Sequence, residues 1–160
     1  QTPTLYTPAS GTLTNCTGLP TAGLVDGAVT PTKMSTAAKT RTFGITIDGG
    51  GSAISTGVKG FIVIPWACTL SSYTILADVS GAIQINVWSD TYANFPPTSG
   101  DTMPGAGKEP KITASAQNSQ DLDISDWTKT TLAAGDCVGF NVDSCTTITR
   151  ATLTITVTLT

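Results

Sequence analysis

The last ten residues carry the clearest pattern in the chain. Ala151, Leu153, Ile155, Val157 and Leu159 alternate with Thr152, Thr154, Thr156, Thr158 and Thr160. A period of two over that length sets one apolar and one threonine face on a β-strand and leaves no helical reading. Threonine favours strands yet is only weakly polar, so its face meets solvent or packs flat against another subunit. Residues 42–48 alternate too, with Phe43, Ile45 and Ile47 on one side, and end in the flexible loop Asp48-Gly49-Gly50-Gly51-Ser52. In residues 58–65 the run Phe61-Ile62-Val63-Ile64 predicts a strand covered on both faces. Residues 68–77 and 82–89 predict two strands joined by a hairpin turn at Asp78-Val79-Ser80-Gly81. Residues 90–110 read as a long loop, and 111–114 and 122–124 as weak strands. Residues 132–136 lead into a strand over 137–142, with Val138, Phe140 and Val142 on one face. A turn at Asp143-Ser144-Cys145-Thr146 then folds that strand onto the last one. Val142 pairs with Thr147 and Val138 with Ala151, so the apolar faces agree. About eight strands at short spacing predict an all-β, jelly-roll-like antiparallel β-sandwich over residues 42–160.

The first forty residues follow no such pattern. They hold three charges (Asp26, Lys33, Lys39) and few large apolar side chains. One copy buries too little apolar surface to offset chain entropy of ~1–2 kcal/mol per residue. Sharing a core with other copies removes the deficit, which predicts an oligomeric stalk built on Leu13, Leu19, Leu24, Val25, Val29 and Met34. Thr30-Pro31 reads as an N-cap and first helical residue, opening a short helix over about 31–39 with Met34, Ala37 and Ala38 on one face. An irregular crossover is the alternative.

Residues 6–20, Tyr-Thr-Pro-Ala-Ser-Gly-Thr-Leu-Thr-Asn-Cys-Thr-Gly-Leu-Pro, resemble a repeat of bacteriophage tail fibres. Residues 24–34, Leu-Val-Asp-Gly-Ala-Val-Thr-Pro-Thr-Lys-Met, resemble a second fibre-shaft repeat. Such fibres are typically parallel homotrimers with a globular tip. The resemblance therefore implies a trimerisation shaft over residues 1–41 and a head over 42–160. The string from Asp90 to Thr98 also resembles part of a globular domain at the ends of phage structural proteins. These resemblances place the chain on a virion, at the phage tail or capsid surface, among other virion proteins. They bring no active site. Gln1 is not an initiator methionine, and a repeat starting at the first residue suggests a piece of a longer fibre.

Composition narrows the chemistry. Charged residues make up 12%, against about 25% in a typical soluble domain. A net charge of −3 gives nucleic acid no electrostatic support. No apolar run approaches the ~20 residues of a membrane helix. With no histidine, Ser-His-Asp and Cys-His sets are excluded, and cysteine-ligated zinc lacks close Cys/His pairs. The four cysteines, Cys16, Cys68, Cys137 and Cys145, read as reduced. With Cys145 in the predicted turn, Cys137 stands five residues back along its strand, over ~15 Å away at ~3.3 Å per residue. A disulfide needs Cα atoms within ~7 Å.

Asp121-Leu122-Asp123-Ile124-Ser125-Asp126 offers three acids, with Asp121 and Asp123 on one side of a strand. It reads as a solvated edge and turn, a calcium site being the alternative. The expectation is a non-enzymatic protein with neither metal nor cofactor. The candidate contact is Trp88, Asp90, Tyr92, Asn94 and Phe95, at a strand end and the loop beyond it. Aromatic faces stack on sugars while Asp and Asn accept hydroxyl protons, which suits a glycan. The alternative is that Trp88, Tyr92 and Phe95 plug the end of the sandwich. Trp66 and Trp127 read as core or subunit-interface residues. Together these features predict a homotrimeric phage fibre attaching to a host-surface polysaccharide, without nucleic-acid binding or membrane insertion. A decoration or collar protein without receptor binding is the alternative.

Overall fold

The structure, a computed structural model, describes residues 29–160. It is all-β: one antiparallel seven-stranded sheet in which β1 (Thr40–Asp48), β7 (Arg150–Leu159), β3 (Cys68–Asp90), β6 (Cys137–Thr146) and β2 (Gly57–Val63) are neighbours in that order. β4 (Lys111–Asp121) and the two-residue β5 (Thr131–Leu132) also pair with β3. Leu13, Leu19, Leu24, Val25 and Cys16 lie outside the described residues. Val29 is exposed and Met34 half-buried. The expected single helix is two short turns, a 3-10 turn at Pro31–Lys33 and α1 at Thr36–Lys39. Ser35 restarts the helix by accepting a hydrogen bond from Ala38 N at 3.3 Å.

β3 departs furthest from expectation. Residues 78–81 are not a hairpin turn; the strand runs straight on for 23 residues. Its first half pairs with β7, from Cys68↔Leu159 to Ala77↔Ala151, and its second half with β6, from Ala82↔Thr146 to Asp90↔Cys137. β4 runs along the strand's other edge, from Tyr73↔Asp121 to Gln84↔Lys111. So β6 and β7 do not fold onto each other. They lie end to end along β3, and Val138 faces Ser89 where Ala151 was expected.

The corner between β6 and β7 explains why 78–81 look like a turn. Asp78 accepts hydrogen bonds from Thr149 N, the Thr149 hydroxyl and Arg150 N. Thr147, at φ 64°, donates its hydroxyl to Ser80 O at 2.8 Å. A Cβ on Gly81 would stand 2.4 Å from Thr146 O. The Asp, Ser and Gly that resemble turn residues instead dock another turn. Those bonds hold Asp78 well below the ordinary carboxylate range, at about 2, the Thr149 hydroxyl contributing most.

The core is aliphatic. Ile75, Ile83, Ile85, Val87, Phe140, Val142, Leu153, Ile155 and Val157 are buried on the inner face, with Ile148 at the corner. Trp127 is buried and Trp66 packs against the core. β2 is an edge strand open on its outer side, where Phe61 and Val63 are exposed, so it is not covered on both faces. Residues 49–54 are pinned rather than loose: Gly49 N and Ile54 N bond Thr149 O and Ile148 O at 2.7 and 2.9 Å. Cys137 and Cys145 stand at opposite ends of β6, about 26 Å apart at ~3.3 Å per residue. Cys68, Cys137 and Cys145 are free thiols. Burial pushes Cys68 and Cys145 up from the ordinary thiol pKa.

Candidate functional site

The C-terminal end of β3 holds Trp88 and Asp90, and the turn just beyond it holds Tyr92, Asn94 and Phe95, the other predicted contact residues. Trp88, Gly139 and Phe61 are cross-strand partners in one row across β3, β6 and β2, and Thr102 bridges to Trp88 on the other side. Side chains in one such row share a face, here the outer one. Gly139 leaves a hollow in the row. A Cβ there would meet the Phe61 ring at 3.0 Å and Pro97 Cγ at 3.3 Å.

Residues 91–103 close over that hollow. They contain a 3-10 turn at Tyr92–Asn94 and another at Ser99–Asp101. Thr98 and Asp101 form a capping box, with Thr98 N donating to Asp101 Oδ2 at 2.8 Å. Buried Met103 anchors the far end through its N–H to Val87 O at 2.8 Å. Lys129 Nζ reaches Ser89 O at 3.1 Å and Ser89 Oγ at 3.2 Å.

This arrangement separates the five candidate residues. Trp88 is only 8% exposed, and its indole N–H has no partner among the described residues. Asp90 Oδ1 accepts from Thr91 N at 2.7 Å and from Asn94 Nδ2 at 3.2 Å. The carboxylate and amide thus serve first to shape the turn. Tyr92 and Phe95 stay open, at 74% and 50% exposed. Phe95 meets Phe61 edge to face, with ring centroids 4.9 Å apart. Phe61 and Phe95, with Val63 exposed further along β2, give this side of the sheet an apolar surface. Phe61 was not singled out in the sequence because residues 61–64 read as buried on both sides. Its signal was the glycine at 139, which only the pairing register brings beneath it.

Below the aromatic row the same face turns polar. Asn86 Oδ1 accepts from the Thr102 hydroxyl at 2.8 Å, and Asn141 Nδ2 donates to Asp143 Oδ1 at 2.6 Å.

The acidic segment after β4 builds turns instead of a strand. Asp121 Oδ1 accepts from Asp123 N at 3.0 Å and Asp123 Oδ1 from Ser125 N at 3.1 Å. Asp123 is held below the ordinary carboxylate value by its bonds to Ser125. Asp126 pairs with Lys108 at 3.2 Å. Among the described residues, no group of three acidic or cysteine side chains is placed to hold a metal ion.

No family model, curated protein or solved structure matches this chain.

Proposed function

We infer that this chain is a non-enzymatic phage virion fibre protein whose trimeric shaft, expected over residues 1–41 but ending before β1 opens at Thr40, presents β-sandwich heads for attachment to host-surface glycan. The observation that carries the reading is the pair of shaft-like repeats at 6–20 and 24–34, which run almost directly into the first strand of a compact β head. Three heads on one stalk turn a weak contact into an effective one, with avidity gains of ~10²–10⁴. The low charge of the chain suits both the shaft and a surface that meets uncharged sugar.

One observation favours the second reading, a virion decoration or collar protein without a receptor. Trp88 is covered and Asp90 and Asn94 bond within their own turn, while Phe61, Val63 and Phe95 offer an apolar surface suited to a protein neighbour. Adsorption of the full-length protein to a panel of isolated bacterial envelopes separates the two. Saturable adsorption that enzymatic removal of envelope polysaccharide abolishes is the expected result. Absence of adsorption to every envelope favours the decoration protein.

A further inference from the structure

The other half of the sheet carries a second surface. On the outer side of β1, β7, β3 and β4, cross-strand partners fall into rows. Thr46, Thr152, Leu76 and Asn118 form one row, and Gly44, Thr154, Thr74 and Gln120 the next. Thr42, Thr156 and Ser72 continue the array. The Thr46 and Thr152 hydroxyls bond each other at 2.9 Å. No charged side chain stands in these rows. The Asp48–Arg150 ion pair, at 2.7 Å, marks their border.

Two shallow depressions follow the first two rows. One, about 290 Å³, is lined by Thr42, Gly44, Thr46, Thr152 and Thr154 among others. The other, about 320 Å³, is lined by Thr74, Leu76, Asn118, Ser119 and Gln120. They are separate but lie on the same two rows, one over β1 and β7 and one over β3 and β4, so that side by side they mark one path, termed the trough, across four strands. We propose that this trough binds an extended, uncharged polysaccharide lying across the strands.

The chemistry of the surface selects that ligand. Threonine hydroxyls and the Asn118 and Gln120 amides both donate and accept, matching sugar hydroxyls. Strands stand about 4.8 Å apart. Hydroxyls therefore recur across the trough at a spacing close to one pyranose unit of an extended chain. Leu76, 56% exposed, gives a sugar ring an apolar contact. The lack of charge in the rows leaves an acidic polymer without a counter-charge. A second copy of the chain fits less well: stable protein interfaces centre on apolar and aromatic groups, and here Leu76 is the only large one. The inference rests on the glycan-attachment reading for its ligand class, but places the contact away from residues 88–95.

The test is calorimetric titration of the full-length protein with dextran, mannan, laminarin and galactomannan, with alginate as the charged control. Binding of at least one neutral polymer and not of alginate is expected. Thr74→Val with Thr154→Val keeps the β-branched shape, removes two hydroxyls, and should weaken binding about tenfold. Thr74→Lys with Thr154→Lys should weaken it further, while Tyr92→Ala with Phe95→Ala leaves it unchanged. Melting curves confirm that each variant folds. Failure of all four neutral polymers to bind, unaltered binding by the valine pair, tighter binding of alginate, or a loss confined to the Tyr92/Phe95 variant overturns the trough. Envelope adsorption that persists without polysaccharide binding would leave the fibre reading standing; absence of both would remove both.

Discussion

At the residue scale, the side chains that fix this fold are small or polar and sit where two backbones meet. Gly81 is one such position, because backbone as well as side-chain atoms of the β6–β7 corner crowd the place a Cβ would take; Gly44 and Gly49 stand still closer to neighbouring backbone. Gly81→Ala should cost about 3 kcal/mol, the upper end of ordinary overpacking, read from denaturant unfolding; a change within experimental error would contradict the close approach. Gly139→Ala meets a ring and a proline edge, which can shift, and should cost less. Asp78 contributes to the pH dependence, beside Asp48 and Asp123, whose carboxyls are also held below the ordinary value by their hydrogen bonds. The Asp78 carboxyl is held at about 2 when folded, below its value near 4 in an unfolded chain. A depressed carboxylate stabilises the fold above the unfolded pKa, and that contribution fades as pH falls from about 4 towards 2. Asp78→Asn should therefore lower the melting temperature at pH 7 and flatten its decline between pH 4 and 2. A variant whose profile parallels the parent's would show that the corner does not depend on this carboxylate.

At the element scale, β3 is the spine on which the other strands assemble. It has partners on both edges at Tyr73–Leu76 and again at Ile83 and Gln84. Amides there should exchange most slowly, near the global unfolding rate, while those of the edge strands β1 and β2 exchange faster. Slow exchange in β6 and β7 together with rapid exchange throughout β3 would instead match the hairpin pairing that the sequence suggests. Alternation exposed the strands whose inner face meets the core, as at Phe43-Ile45-Ile47 and Ala151 to Leu159. It could not show which strands pair. Asp78, Ser80 and Gly81 have turn chemistry, yet the turn they serve lies some seventy residues further along the chain. For the same reason Phe61 over Gly139, and the threonine rows across β1, β7 and β3, appear only once the register is known. The Trp88–Phe95 segment was legible as a cluster. That Trp88 is covered depends on residues 97–103, whose folding over the sheet has no periodic signal, and Asp90 is engaged by Thr91 and Asn94 in the turn beside it.

At the scale of the whole molecule, the sheet presents two chemically distinct outer surfaces: an apolar one at Phe61, Val63 and Phe95, and an uncharged hydroxyl-rich one on β1, β7, β3 and β4. In the proposed fibre, attachment depends on several heads acting together, because a surface of threonines and amides gains little per contact. The arm that brings them together must be removed without cutting into the sheet. Thr40 already pairs with Thr158, so a head that begins at Arg41 loses part of β1, whereas one that begins at Ser35 keeps the strand and the cap of α1. The decisive measurement is the molar mass in solution of the full-length chain beside the chain beginning at Ser35. A trimer that becomes a monomer on truncation is the predicted result, and a full-length monomer would contradict the account.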